Sequence, residues 1–498
     1  MARRQHLISL LGIGLAIDYA LFVVSRFREE LALLPDDDPD AATTAVRRTM
    51  VTAGRTVLFS GLTVAAAMSS LLIFPQAFLR SMGYGGIAAV LVAMVAALTI
   101  LPATLRLLGR RIDGGRLPWR RHQAVSVSDD HGRWAALARA VMKRPVTVVV
   151  LTVTLLLVLA SPFLGVKWGS VDYRVLPPDA PAHEAAVKLG EFGPETSTAS
   201  LLLQGTSEAD VATYVTDIEG VDAVTAVTPV ASEGDVKLLR AAWESNSQTE
   251  ASQGVVTDLR EVDPESGTAL VGGESANTVD LVASVGDHVP YMGLIVLVVM
   301  LVLLFIAFGS LVLPIKAVVM NLFSISAAMG VVTWIFANGH LSGVIGFEPT
   351  GFLDATNVIL MIAILFGLSM DYEVFLLSRV REQWDRTGDN DLAVATGLQK
   401  TGRIITSAAL LLAVVIGAFG LSGIVFMKMM GIGMLVALII DATIVRALLV
   451  PATMKLLGRW NWWAPGPMAR WWERYGFREE VPELPVDGAT SAREPASV

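Results

Sequence analysis

Two segments of this 498-residue chain place a carboxylic acid beside a phenol inside an otherwise apolar run. Gly14-Leu-Ala-Ile-Asp18-Tyr19-Ala-Leu-Phe22-Val-Val-Ser25-Arg26 returns as Gly367-Leu-Ser-Met-Asp371-Tyr372-Glu-Val-Phe375-Leu-Leu-Ser378-Arg379. An ionisable side chain at mid-membrane depth costs about 2.5–3.5 kcal/mol on insertion scales and is seldom kept without use. At helical spacing Asp18, Phe22 and Ser25 share one stripe, as do Asp371, Phe375 and Ser378, with Tyr19 and Tyr372 about 100° round the helix. If the two copies face each other, each Asp approaches the other helix's Tyr. The phenol hydrogen-bonds the ionised acid while desolvation favours the neutral one, a balance suited to loading and releasing a proton. Each charge crossing the membrane field is worth about 2.3 kcal/mol per 100 mV, enough to bias a conformational cycle. The plain alternative is an Asp–Tyr hydrogen bond that only staples two helices; two matched copies favour the relay.

The elements that must position these groups are membrane helices. The chain is 53% hydrophobic and 17% charged, where soluble domains carry about 25% charge, which places it among polytopic membrane proteins. Apolar runs predict nine spans, at about 7–25, 56–74, 83–104, 146–165, 289–309, 314–337, 354–377, 403–422 and 428–452. Basic residues gather in alternate loops: Arg26, Arg28, Arg47 and Arg48, then ten between 105 and 145, then Arg379, Arg381 and Lys400. The segment 166–288 carries 21 acidic and 6 basic side chains. The positive-inside rule therefore puts 166–288 outside a plasma membrane and the C-terminus in the cytoplasm. Arg3 and Arg4 then lie on the disfavoured side, which suggests that Met1 is not the native start.

Segment 166–288 reads as an external α/β domain. Strands are expected at Thr198–Leu203, Val221–Thr228 (stopped by Pro229), Val236–Trp243 and Thr278–Ala283. Helices at Ser207–Ile218 and Gln253–Glu261 complete the order β-α-β-β-α-β. The repeat extends past the twin motif: Ala53-Gly54-Arg55-Thr56 answers Thr401-Gly402-Arg403-Ile404, and Leu101-Pro102-Ala103-Thr104 answers Val450-Pro451-Ala452-Thr453. Parallel halves follow, with divisions at 1–105 (three spans of a first repeat), 106–145 (cytoplasmic loop), 146–165 (a span), 166–288, 289–459 (spans of the second repeat) and 460–498 (an aromatic, basic interfacial segment running into a disordered tail).

In the last span Asp441 has no acidic partner in the first copy. Arg446 is five residues on, about 500° round an α-helix, so the two do not share a narrow face. Asp441 either tunes the relay or pairs with another helix. Arg26, Arg28, Arg379 and Arg381 read as anchors snorkelling to headgroups. The chain has no Cys, no ligand-spaced His cluster, no GxxxxGK[ST] loop, no nucleophile–base set and no basic–aromatic nucleic-acid face. Neither enzyme activity, metal, cofactor nor nucleic acid is expected.

The twin Gly-x-x-x-Asp-Tyr-x-x-Phe-x-x-Ser-Arg segments, Phe74-Pro75-Gln76, Asp441-Ala442-Thr443-x-x-Arg446 and the Trp462-Trp463-Ala464-Pro465 ending resemble the MmpL proteins. These are the actinobacterial lipid-exporter branch of the resistance-nodulation-division superfamily. The resemblance implies proton-motive-force-driven export of lipids or lipid-linked molecules and a ferredoxin-like porter fold for 166–288. It implies proton-relay pairs at Asp18–Tyr19 and Asp371–Tyr372, an aromatic plug at Phe22 and Phe375, and an auxiliary polar pair at Asp441 and Arg446. Members of the family have twelve spans and two porter domains, whereas this chain matches spans four to twelve with one. A second chain supplying the other half, or a homo-oligomer, is then an expected partner, beside membrane lipid. A different class of reading is a truncated remnant or accessory subunit that binds lipid or a partner and transports nothing.

Overall fold

The computed structural model describes residues 2–35, 37–113 and 132–476, with side chains from residue 12 onward in the first helix. Helices α1 (Ala2–Ala32), α2 (Ala41–Thr49), α3 (Arg55–Ser69), α4 (Ala77–Leu98), α5 (Ile100–Leu108), α6 (Arg133–Lys143) and α7 (Pro145–Ala160) come first. A short strand β1 (Trp168–Gly169) and helix α8 (Pro181–Gly190) lead into a sheet unit: β2 (Thr196–Gln204), α9 (Glu208–Glu219), β3 (Val224–Glu233), β4 (Val236–Glu244), α10 (Glu250–Glu261) and β5 (Thr268–Gly273). The chain returns to helix in α11 (Glu274–Phe308), α12 (Val312–Val332) and α13 (Ser342–Ile345). After β6 (Leu353–Asp354) come α14 (Ala355–Thr387), α15 (Asn390–Gly417), α16 (Val425–Ile440), α17 (Val450–Leu457) and α18 (Gly466–Tyr475).

Eight helical stretches among the described residues are long and apolar enough to cross a membrane, matching eight of the nine expected spans. The remaining expectation, 7–25, falls within α1, a 31-residue helix whose first side chains lie outside the described residues. Helix α14 is the axis of the bundle. It packs on α3, α11, α12, α15 and α16, and no residue from Ala355 to Leu377 is exposed. A helix apolar all round belongs in such a position. Helix α7 is its opposite: only Thr152 and Leu156 are buried, and Val150, Leu151 and Leu155 face outward. It is held on α12 at Gly330, where a Cβ would stand 2.0 Å from the Leu159 carbonyl oxygen, a backbone approach that only glycine permits.

The sheet is antiparallel in the order β3-β4-β2-β5, so the βαββαβ order is ferredoxin-like as expected. Strand β2 alternates buried and exposed residues, and Leu201, Leu203, Leu239, Ala241 and Trp243 meet Tyr214, Ile218, Val256 and Leu259 of the two helices. Ser207 and Thr249 accept the N-cap hydrogen bonds that start α9 and α10. Two expectations fail here. The last strand is Thr268–Gly273, and Thr278–Ala283 lies inside α11. The β-branched residues there suggested a strand, but Gly273, at φ 123°, turns the chain before them and they begin the helical rod into the bundle. Pro229 does not stop β3: the strand lies at the sheet edge and has a register shift at Pro229/Ala231, which accommodates a residue without N–H.

The duplication is written in the backbone. Helices α5 and α17 both end in a 3₁₀ turn, with Gly109 at φ 47° and Gly458 at φ 50°, and 3₁₀ turns at Ser70–Ile73 and Ala418–Leu421 match likewise. The expected loop 106–145 contains ordered structure: α6 docks on α15, where Gln399 Oε1 accepts from Trp134 N (3.1 Å) and Ala135 N (3.0 Å). Arg120 and Arg121 of that loop, and the tail beyond Gly476, lie outside the described residues. Helix α18 folds back on the end of α11, where Trp472 donates to the Ile306 carbonyl (2.9 Å) and Arg381 of α14 lies over Trp462 and Trp472 at 4.9 and 5.1 Å. Two residues of β1 pair in parallel with β6, tying the stalk of the sheet unit to the start of α14.

Candidate functional site

The twin motifs meet in the middle of the bundle. Asp18 on α1 and Asp371 on α14 are 1% and 2% exposed, and Tyr19 and Tyr372 are equally buried. Tyr372 Oη donates to Asp18 Oδ2 at 2.6 Å, so one of the two expected crossed pairs is closed. No hydrogen bond joins Tyr19 to Asp371; Ser60 of α3 is the side chain beside the Tyr19 hydroxyl, and Asp371 Oδ1 is buried without a partner. Phe22 and Phe375 stack across the two helices with ring centroids 4.2 Å apart, and Phe22 meets the Tyr372 ring edge-on at 6.0 Å.

Asp441 and Arg446 correct the sequence reading. Residues Asp441–Leu449 are wound as a π-helix, in which residue i hydrogen-bonds to i+5. That winding brings Arg446 round beneath Asp441, and the two form a buried ion pair. The α-helical spacing that separated them does not apply. Arg446 also donates to the Ser369 carbonyl (3.2 Å) and lies 4.5 Å over the Tyr372 ring, so one guanidinium covers one face of α14 beside Asp371. Its Nε and Nη1 are buried without hydrogen-bond partners, as is Asp18 Oδ1.

Two further groups belong to this cluster. Glu373 follows Asp371 and Tyr372 on α14 and is 5% exposed; Lys316, on α12, is 8% exposed. The field of each acts on the other, and that of Asp441 and Arg446 acts on Glu373. Both signals were in the sequence: a lone Lys in an apolar run, and a Glu where the first copy has Ala20. The described cluster thus holds four carboxyls, Asp18, Asp371, Glu373 and Asp441, against two cations, Arg446 and Lys316. It is neutral only with two protons bound. A crevice of about 10 Å³ lined by Asn321, Ser324, Ser369 and Asp441 reaches it, at the lower limit of room for one water.

Two of the basic residues at the ends of the motifs, Arg26 and Arg379, pair with acids at the helix ends. Arg26 pairs with Glu29 (3.1 Å) and Glu30 (2.9 Å), and Arg379 pairs with Glu382 (3.0 Å) and with Glu29 of the other copy (3.4 Å). Glu29 is shared by both repeats, so these arginines join the helix ends to each other. Asp354 caps α14 by accepting from Asn357 N (2.7 Å), in keeping with an end-of-span position. Among the described residues no cluster of His, Cys, Asp or Glu has metal-holding geometry.

The MMPL family pattern matches residues 4–148 and 210–484. The chain is 44% identical over 478 residues to a membrane protein of Streptomyces coelicolor, covering 95% of this chain and 65% of that one. It is 37% identical over 544 residues to the trehalose monomycolate exporter MmpL3 of Mycobacterium tuberculosis, covering 99% and 56%. It is 34% identical over 503 residues to the mycolic acid-containing lipids exporter MmpL11 of Mycolicibacterium smegmatis, covering 96% and 51%. The chain therefore spans between half and two thirds of the length of these relatives. Among solved structures, SecDF superposes with a TM-score of 0.50 at 14% identity over 95% of this chain and 55% of that one, a likeness of fold.

Proposed function

The chain belongs to the MMPL family, and on that premise we propose that it is a proton-motive-force-driven transporter that exports lipids or lipid-linked hydrophobic molecules across the plasma membrane. It is a multipass membrane protein, and the two mycobacterial relatives named above are exporters rather than enzymes. Asp18 and Asp371 load and release the protons, Tyr19 and Tyr372 gate the exchange by hydrogen bonding, and Phe22 and Phe375 close the path beside them. Asp441 and Arg446 hold the charge balance as the acids titrate. The observation that carries the reading is the 2.6 Å bond from Tyr372 to Asp18, which joins the two repeats at a buried acid. A stapling bond alone needs one acid and one phenol; this cluster holds four carboxyls and is neutral only when two are protonated.

The test is reconstitution of the chain, alone and with any chain that co-purifies, into vesicles with a fluorescent lipid in one leaflet and an imposed pH gradient. Lipid movement is expected to follow the gradient and to stop when a protonophore collapses it. Movement indifferent to the gradient rejects proton drive, and binding without movement turns the assignment to a lipid-binding membrane subunit.

In this reading residues 166–288 face outside and the C-terminus faces the cytoplasm. Because the chain contains no Cys, single introduced thiols test this directly. Glu233→Cys, exposed at the end of β3, is expected to react with an impermeant maleimide on intact cells. Thr387→Cys, exposed at the end of α14, is expected to react only after permeabilisation. The reverse pattern inverts the topology.

A further inference from the structure

Glu373 and Lys316 have no part in the relay between the twin motifs, yet both are buried in the bundle. Lys316 Nζ and Glu373 Oε1 make no hydrogen bond. The two side chains come from helices packed on each other, α12 and α14, and both are buried without forming a contact ion pair. A pair kept for stability alone would be expected to close, because a buried charge without contact keeps its desolvation cost and forfeits most of the attraction. A gap between the two leaves room for exchange.

Position adds to this. Glu373 is two residues beyond Asp371, about 200° round α14, so it faces away from α1. The charged groups turned towards it are Lys316 from α12 and Asp441 and Arg446 from the π-helical segment, while Asp371 shares its own helix. Lys316 lies one turn inside α12, near the end of the bundle where Ser310 accepts no lipid-facing role but donates to the Asn461 carbonyl (2.7 Å) and Trp472 is docked. Lys316 therefore stands between the central acids and that end of the membrane. The motif itself is asymmetric here: Asp371-Tyr372-Glu373 answers Asp18-Tyr19-Ala20, so the extra acid belongs to one half alone.

We propose that Glu373 and Lys316 form a second proton-exchange station, confined to the second repeat, which connects the central acids to the end of the bundle at which α11 meets α12. The step is internal and balanced. With no direct hydrogen bond between the two, one bridging water carries the proton: the O–H bond of Glu373 breaks as the water oxygen accepts it, and one of the water's own O–H bonds breaks as the Nζ lone pair of Lys316 takes that proton, leaving a carboxylate facing an ammonium; the reverse step restores two neutral groups. Neither state carries net charge, so the pair can pass a proton in the apolar core without leaving an uncompensated ion. Lysine can do this because its ammonium gives up a proton, whereas a guanidinium does not.

The proposal rests on the proton-driven reading above, and the test separates the two. The full chain is reconstituted in vesicles carrying an internal pH-sensitive dye, and proton entry is followed after a pH jump. Lys316→Arg keeps the charge and is expected to cut proton flux at least tenfold, with a thermal unfolding midpoint close to the parent's. Flux at the parental rate in Lys316→Arg overturns the station and makes the pair structural. In parallel, infrared carboxyl absorption is titrated in the parent, in Glu373→Gln and in the Asp18→Asn/Asp371→Asn double variant. Glu373→Gln is expected to remove a titrating carboxyl band that persists in the double variant. An unchanged spectrum in Glu373→Gln sinks the station alone. Bands and flux unaffected by the double variant sink the relay instead, whatever Glu373 does.

Discussion

Asp371→Asn is expected to lower gradient-driven lipid transport by about 10²-fold or more, the usual scale for removing an obligate proton carrier, while leaving the fold intact. The amide has nearly the same volume and polar atoms as the acid. Asp371 Oδ1 has no hydrogen-bond partner to lose, and the Tyr372–Asp18 bond lies on the neighbouring residue. What disappears is the proton. Asp18→Asn is expected to fail to the same degree, since its amide oxygen can still accept from Tyr372 but cannot carry the charge cycle. Tyr372→Phe should fall between these and the parent, because the ring under the Arg446 guanidinium remains while the 2.6 Å bond is lost. The measurement is vesicle transport at a fixed pH gradient beside thermal unfolding of each variant. Parental transport in both Asp→Asn variants removes the relay from the mechanism.

Arg446→Met is expected to destabilise the bundle by about 3–5 kcal/mol, the range for stranding one member of a buried ion pair. Asp441 loses its only ion-pair partner among the described residues, the Ser369 carbonyl loses a donor, and Asp18 and Asp371 lose the positive charge beside them. Replacing both partners, Asp441→Leu with Arg446→Met, should recover most of that loss, because paired burial and its removal together are close to neutral. A double-mutant cycle in denaturant then isolates the coupling between the two. Transport is expected to stay absent in the double variant despite the recovered stability. A single variant as stable as the parent shows that the pair carries little of the core's charge balance. Arg446→Lys is not a mild change here, since an ammonium cannot lie flat on the Tyr372 ring while bonding Asp441 and the Ser369 carbonyl.

The sequence exposed the site unevenly, for physical reasons. Period and charge placed Asp18, Asp371 and their tyrosines on buried faces, and the repeat foretold a bond between the copies. It could not foretell that only Tyr372 closes on its acid, because that depends on where α3 sets Ser60 beside Tyr19. The α-helical angle kept Asp441 from Arg446, and a local change of winding overruled it; helix period carries no sign of a π segment. Lys316 and Glu373 were visible as departures from apolar and repeated patterns, but pairing them needs the packing of α12 on α14. In the sheet unit, Thr278–Ala283 has strand-like residues and still becomes helix, because continuity with the apolar rod decides it. Thr268–Gly273 ends in two glycines and carries little strand signal of its own.

Helix α11 runs for 35 residues from the end of β5 to the docking place of Trp472, with Pro290 near its middle. At 1.5 Å per residue it is a stiff beam about 50 Å long. It can bend at two places, Gly273 at the sheet end and Pro290 near its middle. A tilt of about 5° at the bundle end swings the far end by about 4 Å on that length. Through β1 and β6 the other stalk of the sheet unit is pinned to the start of α14. Motion of α11 against α14 would then load the sheet unit between two supports, one through Gly273 and one through the β1–β6 pairing.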